Sequence, residues 1–341
     1  MKNNLFNYAT SELSQDAFIC WLCSYAFDSA DDPAVQKCAK QLLILFVPEL
    51  ADTEFILLDV ERQVGKVDVL LTLLVNGTYY KVIVEDKTFT SQHDNQLENY
   101  LQQVKAAYPD YIVKGVYYKT GFQSDLSPVI KAGYTIVSRQ QMLKLMAPYI
   151  TQTTNRIFLD YFEYWDKFQQ DAEAFRALPV SQWNQIQANG FCDFLQTSSF
   201  FEKRNQFVGH GYVPNKSGGF YGLWFGLDDC LIYINGIPFE LYLQLEIVTG
   251  DPTTAQLRLK LCAKENDLKT QILSECRDKV VYDADWKYAL GKFNFSKPKR
   301  LAPGRHMTIG FYNYETADWN SLLDSFDVAI QDYQALFTTM K

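Results

Sequence analysis

"VDVLLTLLVNGTYYKVIVEDKT" spans residues 67–88. Two apolar runs flank Asn76-Gly77, the strongest short-range sign of a two-residue hairpin turn. The pattern predicts antiparallel strands over 66–75 and 78–88. The charged side chains at the end of the hairpin away from the turn include Asp68, Glu85 and Lys87. Along a strand, residues i and i+2 share a face about 6.6–6.8 Å apart. Glu85 and Lys87 therefore point together, and Asp86 points away. A register running through the turn centre brings Asp68 beside Glu85. Two adjacent carboxylates repel unless something cationic lies between them. A divalent ion together with Lys87 meets that need. Hard cations such as Mg²⁺ take one or two carboxylates, waters and a phosphate oxygen. A bound ion also lowers the pKa of its water and offsets charge on a phosphate. The three residues thus suit metal-dependent phosphodiester hydrolysis. Their other reading is a solvated salt bridge at a sheet rim.

The surrounding elements follow from periodicity. Residues 11–28 read as a helix, with Ala17, Phe18, Trp21, Leu22 and Tyr25 at helical spacing and Ser11 or Ser14 as its cap. "DPAVQKCAKQLLILFV" is a second helix, capped by Asp32 with Pro33 in its first turn. "FILLDVERQVG" is a strand, so three consecutive antiparallel strands are expected. "SQHDNQLENYLQQVKAAYP" is a helix with Leu97, Leu101 and Val104 on its apolar face, and two more strands follow at 111–120 and 134–138. Helices fill 139–149 and 153–177. The expected fold class is α/β, a mixed central β-sheet flanked by helices.

After Pro179 the texture changes. A helix at 181–196 precedes the alternating runs "GFYGLWFGL", "CLIYING", "FELYLQLEIV" and "AQLRLKLCAK", and "MTIGFYNYE" is a late strand. Helices are expected at 265–278 and 316–339. This is an α+β region with an antiparallel sheet. "GHGYVPNKSGGFYG" lacks the Gly-Lys-Ser/Thr ending of a P-loop and reads as a hairpin connection. The expected domains are 1–179 and 180–341, the second serving substrate recognition or dimerisation.

Composition narrows the classes. No apolar run approaches the roughly 18 residues of a membrane helix, and "MKNNLFNYATSELSQDAF" lacks a secretory h-region. A cytoplasmic protein without a membrane partner is the expectation. Seven cysteines at irregular spacing do not form a disulfide framework, and Cys20-x-x-Cys23 lies in a helical pattern. The net charge of −8 argues against broad coating of nucleic acid. Residues 180–341 carry 16 basic and 18 acidic side chains, against 16 and 22 in residues 1–179, so the second half repels a polyanion less. The most basic stretch, "KFNFSKPKRLAPGRH", holds Lys292, Lys297, Lys299, Arg300 and Arg305 interleaved with Phe293 and Phe295. It reads either as a nucleic-acid contact or as a solvated loop.

"VDVLL", "IVEDKT" and "NQLENYL" together resemble the core of the PD-(D/E)XK nuclease superfamily. They are similar above all to the branch in which an "(I/V)D(I/V)L" strand precedes an "(I/V)E(N/D)K" strand and a helix with "QLExY". The resemblance covers roughly residues 5–165. It implies a restriction-endonuclease-like fold and a metal-dependent nuclease, often in restriction, repair or defence. It makes Asp68 and Glu85 metal ligands and Lys87 the catalytic lysine, with Mg²⁺ or Mn²⁺ as cofactor. Glu12 in "SELSQDAF" is the matching third ligand; it reads equally as a helix N-terminal acid favoured by the macrodipole. Gln96 and Tyr100, one helical turn apart, match the motif that lines the site. Val67 stands where the superfamily often has proline, and Asn99 where a basic residue is frequent. The implied partner is nucleic acid, DNA foremost, and a homodimer is compatible with the second domain. Glu61 faces the site or solvent, His93 is a solvated loop residue or a base, and His210 and His306 have no partnered acid. The competing function is a non-catalytic member that binds nucleic acid or protein.

Overall fold

The computed structural model describes residues 3–27, 31–93, 95–214, 219–248, 255–282, 293–294, 304–312 and 318–341, except the Tyr282 side chain. The chain divides into two units, Met1–Gln170 and Asp171–Lys341. The cut lies before Pro179 because Phe175 already packs on Trp183 and Phe191 of the second core.

In the first unit, helix α1 (Glu12–Ser24) and helix α2 (Pro33–Phe46) precede three strands, β1 (Phe55–Val64), β2 (Val67–Val75) and β3 (Thr78–Lys87). Helix α3 (Gln96–Ala107), β4 (Ile112–Lys119), α4 (Ser127–Lys131), β5 (Tyr134–Ser138), α5 (Arg139–Met146) and α6 (Arg156–Glu173), whose last residues belong to the second unit, follow. The sheet order is β1-β2-β3-β4-β5. β1, β2 and β3 are antiparallel, and β3, β4 and β5 are parallel. At the turn Asn76 has φ 48° and Gly77 φ 83°. Both lie in the left-handed region that a type I′ hairpin requires. Asp32 caps α2 by accepting from Ala34 and Val35 N–H. The Ser11 hydroxyl does not cap α1 but pairs with that of Ser14 at 3.1 Å.

The sheet buries both faces. One packs on α1, α2, α5 and α6 through Leu22, Leu42, Phe46, Val69, Val84, Val116 and Phe158. The other packs on α3 through Leu70, Ile83, Leu97, Tyr100, Val104 and Tyr117. Each fully buried Leu or Phe contributes about 1.5–3 kcal/mol, so both faces hold β3 rigidly up to its charged end.

The second unit contains α7 (Gln185–Thr197), β6 (Gln206–Val213), β7 (Phe220–Leu227), β8 (Leu231–Ile234), β9 (Ile237–Ile247), β10 (Ala255–Ala263), α8 (Thr270–Tyr282), β11 (His306–Tyr312) and α9 (Trp319–Met340). Its antiparallel sheet runs β11-β10-β9-β7-β6, with β8 paired to β9. β6 corrects the reading of "GHGYVPNKSGGFYG" as connection alone, since its first half is strand. Gly209 is in that strand because the Trp224 indole lies against it. A Cβ at Gly209 would sit 2.4 Å from Trp224 Nε1. Gly209 there serves a close approach, not a turn. No helix among the described residues is long and apolar enough to cross a membrane.

Candidate active site

The β2–β3 ladder runs in the expected register, with Val69 opposite Val84. Continued one step beyond its last pair, that register sets Asp68 opposite Glu85. Asp86 N–H donates to Asp68 Oδ2 at 3.1 Å, which holds that carboxylate against β3. Lys87 Nζ lies 2.5 Å from Glu85 Oε1 and 3.7 Å from Asp68 Oδ2, and it also donates to the Asp86 carbonyl at 3.0 Å. From α3, Gln96 Nε2 donates to Glu85 Oε1 and to the Tyr100 hydroxyl, both at 2.8 Å. The structure thus brings together Asp68, Glu85, Lys87, Gln96 and Tyr100.

One ammonium faces two carboxylates here, so one negative charge is uncompensated. Burial, then the charge of Asp68, pushes the Glu85 carboxyl up to about 7. Burial alone would lower the Lys87 pKa; contact with Glu85 and then Asp68 outweighs it and raises it, so the amine stays protonated. The side chains are 1% exposed for Glu85, 9% for Lys87 and 25% for Asp68, so the cluster opens to solvent at Asp68.

Glu85 Oε2 is buried and has no donor among the described residues. Together with Asp68 it offers hard oxygen donors beside excess negative charge. That donor set fits a divalent ion held by two carboxylates and completed by waters and phosphate. A three-carboxylate set does not form: among the described residues no group of three or more His, Cys, Asp or Glu is placed to hold a metal. Glu12 lies near the same strand end, but its Oε1 accepts from Thr88 N–H at 3.1 Å and from the Thr90 hydroxyl at 2.6 Å.

No family model, curated protein or solved structure matches this chain. The site's chemistry therefore rests on its own residues.

Several groups near the site escaped sequence reasoning. Asp86 turns to the α1 side, as strand alternation requires, and is fully buried with neither carboxyl oxygen partnered among the described residues. Burial, then the charge of Asp16, pushes its pKa well up. Burial and Asp68 push Asp16 up to about 7. Gln15 donates to the hydroxyls of Thr88 and Thr120 and accepts from Tyr161. A signal existed: Glu12, Gln15 and Asp16 are spaced to share one helical face. Lys119 on β4 is buried, and that burial lowers its pKa to about 8.

Other sequence candidates lie elsewhere. Glu61 pairs with Lys81 at 3.2 Å. His93 is exposed, and its N–H donates to Gln96 Oε1. In the second unit His210 is buried and lowered to about 4 by burial, and the His306 ring meets the Tyr242 hydroxyl at 3.0 Å. Arg305 is exposed, with Nε donating to the Ala263 carbonyl at 2.8 Å. Lys292, Lys297, Lys299 and Arg300 lie outside the described residues.

Proposed function

We propose that this protein is a Mg²⁺- or Mn²⁺-dependent nuclease that hydrolyses phosphodiester bonds in DNA. The observation that carries this reading is the Lys87 ammonium wedged against Glu85 and Asp68, with Glu85 Oε2 left without a donor. Asp68 and Glu85 would hold the ion. When bound, it would lower the pKa of a coordinated water and offset phosphate charge. Gln96 fixes the Glu85 carboxylate through its amide donor. Lys87, held protonated, acts as a donor to a phosphate oxygen and not as a base. Substrate approaches from the Asp68 side, where the cluster is exposed.

The test is cleavage of linear and supercoiled DNA with Mg²⁺ or Mn²⁺, in the wild type and in Asp68→Ala, Glu85→Ala and Lys87→Ala. Each substitution is expected to abolish cleavage, and wild-type activity that persists in EDTA removes the mechanism. A second reading, a non-catalytic binding protein, is favoured by the short Lys87–Glu85 ion pair, which already compensates one acid without a metal. Calorimetry with Mn²⁺ separates the two, since absence of binding to the wild type supports the second.

A further inference from the structure

The segment that leaves the reacting strand is held from two sides. On one side, Glu12 Oε1 accepts the Thr88 N–H and the Thr90 hydroxyl. On the other, Lys119 Nζ donates to the carbonyls of Thr88 at 2.9 Å and Thr90 at 2.5 Å. The Thr120 N–H closes on the Lys87 carbonyl at 3.2 Å. The anchors come from α1 and from the end of β4, both distant in sequence from this segment. An acid takes the amide and an amine takes the carbonyls, so each anchor matches the polarity of the peptide groups it holds. Charged donors and acceptors make the stronger hydrogen bonds. Lys119 is also the register partner of Lys87 on the neighbouring strand. Two ammonium groups side by side repel, and turning Lys119 onto the two carbonyls keeps its charge away from the Asp68–Glu85 pair.

We propose that Glu12 and Lys119 are positioning residues that clamp Thr88–Thr90 and thereby fix the Lys87 ammonium between Asp68 and Glu85. This deepens the nuclease reading and rests on it for the role of Lys87; the clamp itself is measured without activity. It gives Glu12 a main-chain acceptor role in place of the metal-ligand role that the resemblance implies.

The experiment is amide hydrogen exchange on the full chain, followed at Thr88 and across residues 88–90. Glu12→Ala and Lys119→Met are each expected to speed exchange there by about tenfold or more while β1 is unchanged. Glu12→Gln restores most of the protection, because a carboxamide oxygen accepts the same two bonds. Unchanged Thr88 exchange in Glu12→Ala overturns the clamp, and so does equally fast exchange in Glu12→Gln and Glu12→Ala. If Lys119→Met does not fold, the half-exposed Glu12 pair of variants still decides. Mn²⁺ calorimetry adds a second arm. A clamp leaves more affinity in Glu12→Gln than in Glu12→Ala, whereas a metal ligand loses it equally in both, which overturns the proposal. In cleavage assays kcat falls in Glu12→Ala and Lys119→Met with KM little changed, and Glu12→Gln recovers it. A wild type that cuts no DNA removes the nuclease reading, while exchange at Thr88 still decides the clamp.

Discussion

The two faces at the end of β3 meet the same electrostatic problem and answer it differently. On the α3 face, Glu85 and Asp68 share the Lys87 amine, Glu85 accepts from the Gln96 amide, and Asp68 opens to solvent. On the α1 face, Asp86 and Asp16 are buried, and three of their four carboxyl oxygens lack a donor among the described residues. An isolated buried carboxylate takes up a proton instead of keeping its charge. Each face holds a carboxyl raised to about 7, Glu85 on the first and Asp16 on the second. The first adds an amine, an amide donor and access to solvent, whereas Asp86 on the second is closed off and pushed well toward its protonated form.

The comparison breaks most decisively at Lys87. Lys87→Met is expected to lower kcat by about 10²–10³-fold, the usual cost of removing one preorganised donor to developing charge. The same variant should bind Mn²⁺ at least as tightly as the wild type, because the amine no longer competes for the two carboxylates. Calorimetry beside single-turnover cleavage checks both halves.

The next effect is on pH. Glu85 must lose its proton to hold a cation, and its pKa sits at about 7. Mn²⁺ affinity should therefore fall about tenfold from pH 8 to pH 6 and be nearly constant above pH 8. Glu85→Gln should bind weakly at every pH.

A third measurement addresses the α1 face. The folded-state pKa of Asp16, about 7, lies above its ordinary value. Its contribution to stability is thus fully present below about pH 4 and is lost as pH rises through about 7. Asp16→Asn removes this loss and adds donors facing Asp86. Its melting temperature should rise relative to wild type at pH 8 and show little gain at pH 4.

The smallest effect is expected at Gln96. Gln96→Ala removes one donor from Glu85 Oε1 while Lys87 still occupies that oxygen. A roughly tenfold loss of kcat follows from one hydrogen bond to a charged group. A loss as large as that of Lys87→Met would mean that the amide, not the amine, organises the site.

These contrasts also show what was legible in the sequence. Asn76-Gly77 disclosed the hairpin because both residues accept positive φ, and its register placed Asp68 beside Glu85. The i, i+4 spacing of Gln96 and Tyr100 put both on one helical face, while their place beside the acids came only from the resemblance. The Asp16–Asp86 pairing was not legible, because it depends on which helix covers the far face of β3. Glu12 was visible as an acid but not as an acceptor for Thr88, a contact between residues 76 positions apart. β6 was hidden because glycine ordinarily signals a turn, whereas Gly209 makes room for Trp224.

β3 has an antiparallel neighbour on one side and a parallel neighbour on the other. Its tail is therefore bordered by the opening of β2 and the close of β4, while its head is the tight turn at Asn76-Gly77. The turn lies nine residues from Glu85, about 30 Å along an extended strand. Cargo placed there, such as a fluorophore, a short affinity tag or a surface tether, would stand clear of the acids. The hairpin tip is thus a convenient handle for tethering the protein at the end of the strand opposite its acids.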